Sequence, residues 1–72
     1  TYAPKNRQQL MVALLKAAST KGGKLSVTQG VMATGASFTE VEETMKEMLI
    51  TGYVSVDNHP NTGIVIYDFH EL

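Results

Sequence analysis

The sequence has no cysteine among its 72 residues. That excludes disulfide staples and thiolate metal sites, and leaves packing or a partner to hold the fold. No apolar run approaches the ~20 residues that a membrane-spanning helix needs. No signal-peptide pattern is visible, and no initiator Met precedes Thr1. The expectation is a piece or processed product of a longer protein, with part of the function in the missing sequence. The parts of a catalytic site are scarce as well. The two histidines, His59 and His70, stand in a turn-rich stretch and near the C-terminus. Without a cysteine or a nearby carboxylate pair they make neither a triad nor a full metal-ligand set. Glu42 and Glu43 are paired in sequence only, because adjacent helix residues do not face each other. Gly22-Gly23 and Gly63 lack the lysine pattern of a phosphate loop. We therefore expect a non-enzyme with no catalytic residues, no metal and no cofactor.

Acid is missing from the whole first half. Residues 1–36 hold Lys5, Arg7, Lys16, Lys21 and Lys24 and no carboxylate. Residues 37–72 hold Glu40, Glu42, Glu43, Glu47, Asp57, Asp68 and Glu71 against Lys46 alone. The halves thus carry +5 and −6, which sum to the net −1 of the chain. Such a split favours oriented docking or self-association, although the solvated surface of one domain is the ordinary fate of Lys and Glu.

Glycines divide what is present into segments. From Asn6 to about Thr20, Leu10, Ala13, Leu14, Ala17 and Ala18 recur at helical spacing, and Asn6 with Gln9 forms a loose capping box. Gly22-Gly23 ends that helix, with Lys21 near its negative end. Lys24-Leu25 is a short extended link. Ser26 and Gln29 have capping-box spacing for a second helix over about 27–34, with Val27 and Val31 inward. Gly30 inside it costs about 1 kcal/mol relative to alanine and marks close approach of a neighbouring backbone. Gly35 stops the helix. Ser37 and Glu40 make the best capping box in the chain, opening a third helix over about 38–51. Its expected apolar stripe is Phe38, Val41, Met45, Met48 and Leu49. After Gly52, residues 53–57 and 64–69 are strand-like, joined by a turn-rich stretch from Asp57 to Gly63 into an antiparallel hairpin. Its expected core faces carry Val54, Val56, Tyr67 and Phe69. The four methionines, Met11, Met32, Met45 and Met48, are most simply core filler.

This order resembles the winged-helix (winged helix-turn-helix) family over nearly the whole chain. Val31, Gly35, Val41 and Met45 occupy the apolar and glycine positions of a helix-turn-helix. Leu49-Ile50-Thr51-Gly52-Tyr53-Val54 looks like the family's passage from recognition helix to wing. The resemblance implies an α+β fold over residues 1–72, a three-helix winged helix with a short first strand and a C-terminal β-hairpin wing. Gly22–Met32 and Thr62–Phe69 also resemble the soluble C-terminal domain of some small bacterial membrane proteins with two transmembrane helices. That likeness implies a cytoplasmic domain, tethered to a membrane through sequence not present here.

In DNA-binding relatives the third helix enters the major groove and the wing tip touches backbone or minor groove. Carried onto this sequence, the groove-facing residues are Ser37, Thr39, Glu40, Glu43, Lys46 and Glu47, and the wing tip is Asn58, His59, Asn61 and Thr62. Phosphate affinity needs several Lys or Arg, and a DNA reader's domain commonly has a pI above ~9. The pI here is about 6.0. A non-standard approach through the basic face of Lys5, Arg7, Lys16, Lys21 and Lys24 stays open, as does a DNA-binding regulator using the third helix and wing. The favoured expectation is a regulatory or protein-interaction module whose acidic third helix meets a protein partner. Self-association as a homodimer belongs with it, given apolar Met11, Leu15, Ile50 and Ile64 at candidate surface positions.

Overall fold

Two serines set where the second and third helices begin. In the computed structural model, which describes residues 7–58 and 61–72, Ser26 Oγ accepts from the Gln29 amide at 3.2 Å, and the Gln29 side chain accepts from the Ser26 amide at 3.0 Å. Ser37 and Glu40 repeat the arrangement at 3.1 and 3.2 Å. Each box satisfies two amides at a helix start that no helical carbonyl can reach. Gly35 (φ 76°) and Gly52 (φ 88°) close these helices in the left-handed region, donating to the carbonyls of Val31 and Leu49. Replacing Ser37 with alanine should lower stability by about 1 kcal/mol. Urea unfolding followed by circular dichroism will measure it, and an unchanged midpoint would mean that the cap contributes nothing.

The elements are α1 (Arg7–Ser19), β1 (Lys24–Ser26), α2 (Val27–Thr34), α3 (Phe38–Thr51), β2 (Val54–Asn58) and β3 (Val65–Phe69). This is an α+β fold: three helices with a three-stranded antiparallel sheet ordered β1-β3-β2. The extended link at Lys24-Leu25 is thereby a true strand. Leu25 lies opposite Tyr67 on β3, and Tyr67 lies opposite Val56 on β2. Asn6, with its expected box to Gln9, falls outside the described residues. At the other end of α1 the amides of Lys21 and Gly23 both donate to the Ala18 carbonyl.

One core joins the layers. α1 gives Leu10, Leu14 and Ala18, β1 gives Leu25, and α3 gives Val41, Met45 and Met48. The hairpin adds Val54, Tyr67 and Phe69. Burying each large apolar side chain contributes roughly 1.5–3 kcal/mol. In α2, Val27 and Val31 are half-buried against this core, and the deepest positions are Gly30 and Thr34.

Several expected inward residues lie elsewhere. Phe38 is 58% exposed and Leu49 37%, while Thr44 is fully buried on α3. Thr44 donates its hydroxyl to the Glu40 carbonyl at 2.7 Å, so its polar atom is satisfied within the helix and its methyl packs as an apolar group. Val56 faces the core side of the sheet, as its register with Tyr67 requires, yet it is 41% exposed. Val65, one register step beyond Tyr67 on the same face, is 38% exposed. The far end of the hairpin carries on past the side chains that cover Val54 and Phe69. Both strands begin one residue later than expected: Gly52 reverses the chain and leaves Tyr53 in a bend, and the β2–β3 ladder ends at Asn58 opposite Val65, which leaves Ile64 outside it. Of the methionines, Met45 and Met48 are core, Met11 is half-buried and Met32 is exposed.

Candidate interaction surface

The third helix turns Val41, Thr44, Met45 and Met48 inward, so Thr39, Glu43, Lys46 and Ile50 form the opposite, solvent-facing stripe. Glu42 and Glu47 flank it. Ser37 and Glu40 are engaged with each other's amides in the cap. Lys46 Nζ lies 3.7 Å from Glu42 Oε1, one turn away in the orientation that suits the helix dipole. The feature that sequence reading missed concerns Arg7. Its guanidinium leaves α1 and forks onto α3, 3.0 Å from Glu47 Oε2 and 3.4 Å from Glu43 Oε1. A basic first helix and an acidic third helix are here joined within one chain. These groups are roughly half exposed, so the pairing contributes little stability, about 0–1 kcal/mol. Its consequence is electrostatic. The carboxylates of Glu40, Glu42, Glu43 and Glu47 stand against two cations, Arg7 and Lys46, leaving −2 on this surface, with both cations in ion pairs.

The remaining expected site residues are spread out. Asn58 ends β2, exposed, and Asn61 and Thr62 are exposed in the turn. Thr62 Oγ1 accepts from the Ile64 amide. His59 and Lys5 lie outside the described residues. Lys16 is in the last turn of α1, beside a shallow depression formed with Val12, Ala13, Ala17 and Ala33. Lys21 is in the following turn, and Lys24 sits on β1 opposite Asp68. Arg7 therefore parts from the other basic residues, and the expected basic face is divided between α3 and the turn-and-strand end of α1.

A concave surface opens between α1, the C-terminal half of α3 and the residues after β3. Met11 and Leu15 line it from α1, Met48 and Ile50 from α3, and Tyr53, Val54, Phe69 and Leu72 from the hairpin and beyond. Its volume is about 710 Å³. Thr51, Glu47 and Glu71 supply its polar groups. Met11, Leu15 and Ile50, expected only as separate apolar surface residues, meet in this groove. Ile64, expected with them, is exposed on the hairpin away from it. Tyr53, expected to open a strand, and Leu72 both lie in irregular backbone, and their place in the groove was not foreseen. No helix among the described residues is long and apolar enough to cross a membrane.

Comparison with protein-family models, with curated proteins and with solved structures returned no match.

Proposed function

We propose that this chain is a winged-helix domain acting as a non-enzymatic protein-interaction module, with α3 and the adjoining groove as its contact surface. The observation that carries this is the state of the charges on α3. A helix that reads DNA offers unpaired Lys or Arg to phosphate. Here Lys46 and Arg7 each lie beside carboxylates of the same surface, and that surface is net acidic. An apolar concavity bordering such a helix suits a protein side-chain cluster, because interfaces are apolar at their core and polar at the rim. A cytoplasmic location is part of this reading and follows the likeness of Gly22–Met32 and Thr62–Phe69 to the soluble domains described above.

A second reading has its own observation. Among the described residues, Lys16, Lys21 and Lys24 make no ion pair, so they can meet phosphate, and so few cations would give weak, sequence-independent binding. The deciding experiment is selection from a random duplex library at ~50 mM salt, with fluorescence anisotropy of any enriched sequence. Non-specific DNA binding typically has a Kd of 10⁻⁴–10⁻⁶ M at physiological salt. We expect no enriched sequence and no binding tighter than about 100 µM. An enriched duplex whose binding is lost on Thr39→Ala together with Lys46→Ala would make α3 a reading head and overturn the proposal.

A further inference from the structure

We infer that the groove between α1 and α3 is the contact through which two copies of this chain pair about a twofold axis. This rests on the protein-interaction reading and names the partner. The first observation is the outer face of α1. Gln8, Val12, Leu15 and Ser19 are all exposed on one face of α1, a seam with apolar Val12 and Leu15 at its centre and polar, uncharged Gln8 and Ser19 at its ends. The seam carries no charge over three turns. Two like seams can therefore meet without like-charge repulsion, and absence of charge is what distinguishes the centre of an interface from other surface. Leu15 belongs both to the seam and to the groove, so the two form one continuous surface.

The second observation is the shape of the groove. One lip stands out: Ile50 is 84% exposed and Tyr53 66%. The floor is lower, with Met48 and Phe69 buried and Met11 half-buried. A surface with a protruding apolar lip beside an apolar hollow fits a twofold contact, where each copy offers the same patch and lip meets hollow twice. A twofold axis perpendicular to α1 sets the two seams antiparallel and brings the two grooves to the same edge of the contact.

The third is area. From their fractional exposures, Val12, Leu15, Ile50, Tyr53 and Leu72 present roughly 500 Å² of surface per copy, most of it from Ile50 and Tyr53. A standard interface removes ~800 Å² per partner, of which ~65% is apolar in homodimers. The patch thus supplies about the apolar area that a small homodimer needs. A single helix from another protein would leave the lip or the seam in water. We expect a reversible dimer with a Kd of ~10–100 µM, at the weak end for its area, because buried area does not convert directly to affinity.

The test is sedimentation equilibrium of the chain from about 1 to 500 µM, spanning the expected Kd. Ile50→Glu changes a side chain already in water, so the fold persists, and circular dichroism checks that it does. The control is Met32→Glu, at an equally exposed site on α2, 83% in solvent. The expected result is a monomer–dimer equilibrium weakened at least tenfold by Ile50→Glu and unchanged by Met32→Glu. A monomer at every concentration overturns the inference. So does a dimer that Ile64→Glu disrupts and Ile50→Glu does not, which would place the contact on the hairpin. Either result leaves the protein-interaction reading standing. That reading falls separately, by selection of a DNA sequence.

Discussion

Replacing Gly30 with valine is expected to cost about 3 kcal/mol, toward the upper end of what overpacking does to a core. A Cβ at this position would stand 2.9 Å from Leu14 Cδ2 and 2.9 Å from Val41 Cγ1. Both of those side chains are fully buried, and Val41 is β-branched and stiff. Three added carbons have nowhere to go unless α2 lifts from both α1 and α3. For 72 residues a total stability of roughly 4–10 kcal/mol is ordinary, so the loss is a large part of the whole. Gly30→Ala sets two effects against each other. Better helix propensity favours the variant by about 1 kcal/mol, and the contact opposes it by about 2 kcal/mol. The net should be a loss of about 1 kcal/mol. In a Leu14→Ala background, which itself costs about 3 kcal/mol, the vacated space lets α2 ease away from Val41. There Gly30→Ala should be neutral or stabilising. Denaturant midpoints of the four proteins in this cycle measure the coupling. Simple additivity would mean that Leu14 does not fill the space beside Gly30.

The second large effect concerns charge. Glu43→Lys with Glu47→Lys removes both carboxylates from Arg7 and changes the α3 surface from −2 to +2. Arg7 is released at the same time, so three additional unpaired cations face outward. Non-specific affinity for duplex DNA should rise about 100-fold at ~50 mM salt. The salt dependence should steepen by about two to three, at ≈0.9 per phosphate neutralised. Anisotropy titrations over a range of salt give both quantities. A parent chain that itself binds duplex DNA more tightly than about 100 µM at ~50 mM salt would show that α3 already faces phosphate, and the protein-interaction reading would fail. A parent chain that binds weakly together with a double variant that gains nothing would show that α3 does not approach a duplex.

The helices were readable because their boundaries are local chemistry. Ser26 with Gln29, Ser37 with Glu40, and the glycines at 35 and 52 act within four residues of one another, and each forms the bond its spacing implies. Gly30 was readable for the opposite reason: a residue so unhelpful to a short helix points to crowding, and the crowding is there, although it comes from side chains and not from a backbone. Local chemistry does not say how far one layer reaches across another. Phe38 fits the apolar period of α3 yet lies at the helix start, beyond its neighbours' cover. Val56 and Val65 have the right parity on their strands, but they extend past the helices. The site was less readable still. Arg7 and Glu43 are separated by 36 positions, and only the crossing of α1 over α3 brings them together. The same crossing collects Met11, Leu15 and Ile50 into one groove. A list of charges therefore suggested an acidic helix awaiting a basic partner, whereas part of that partner is supplied from within.

The strand made last is the one in the middle of the sheet. β1 and β2 touch only through β3, and Phe69 also donates its amide to the Gly23 carbonyl, which ties β3 to the end of α1. On the ribosome, then, nothing in this sheet can be assembled piecemeal. Until residues 65–69 have left the exit tunnel, Leu25 and Val54 have no strand to pair beside, and the helices have no floor. The sheet must wait for β3 to emerge, whereas α1, α2 and α3 already have one another to pack against. A nascent chain halted before Val65 would hold out two orphan strand edges, a form for chaperones or proteases rather than a partly working module.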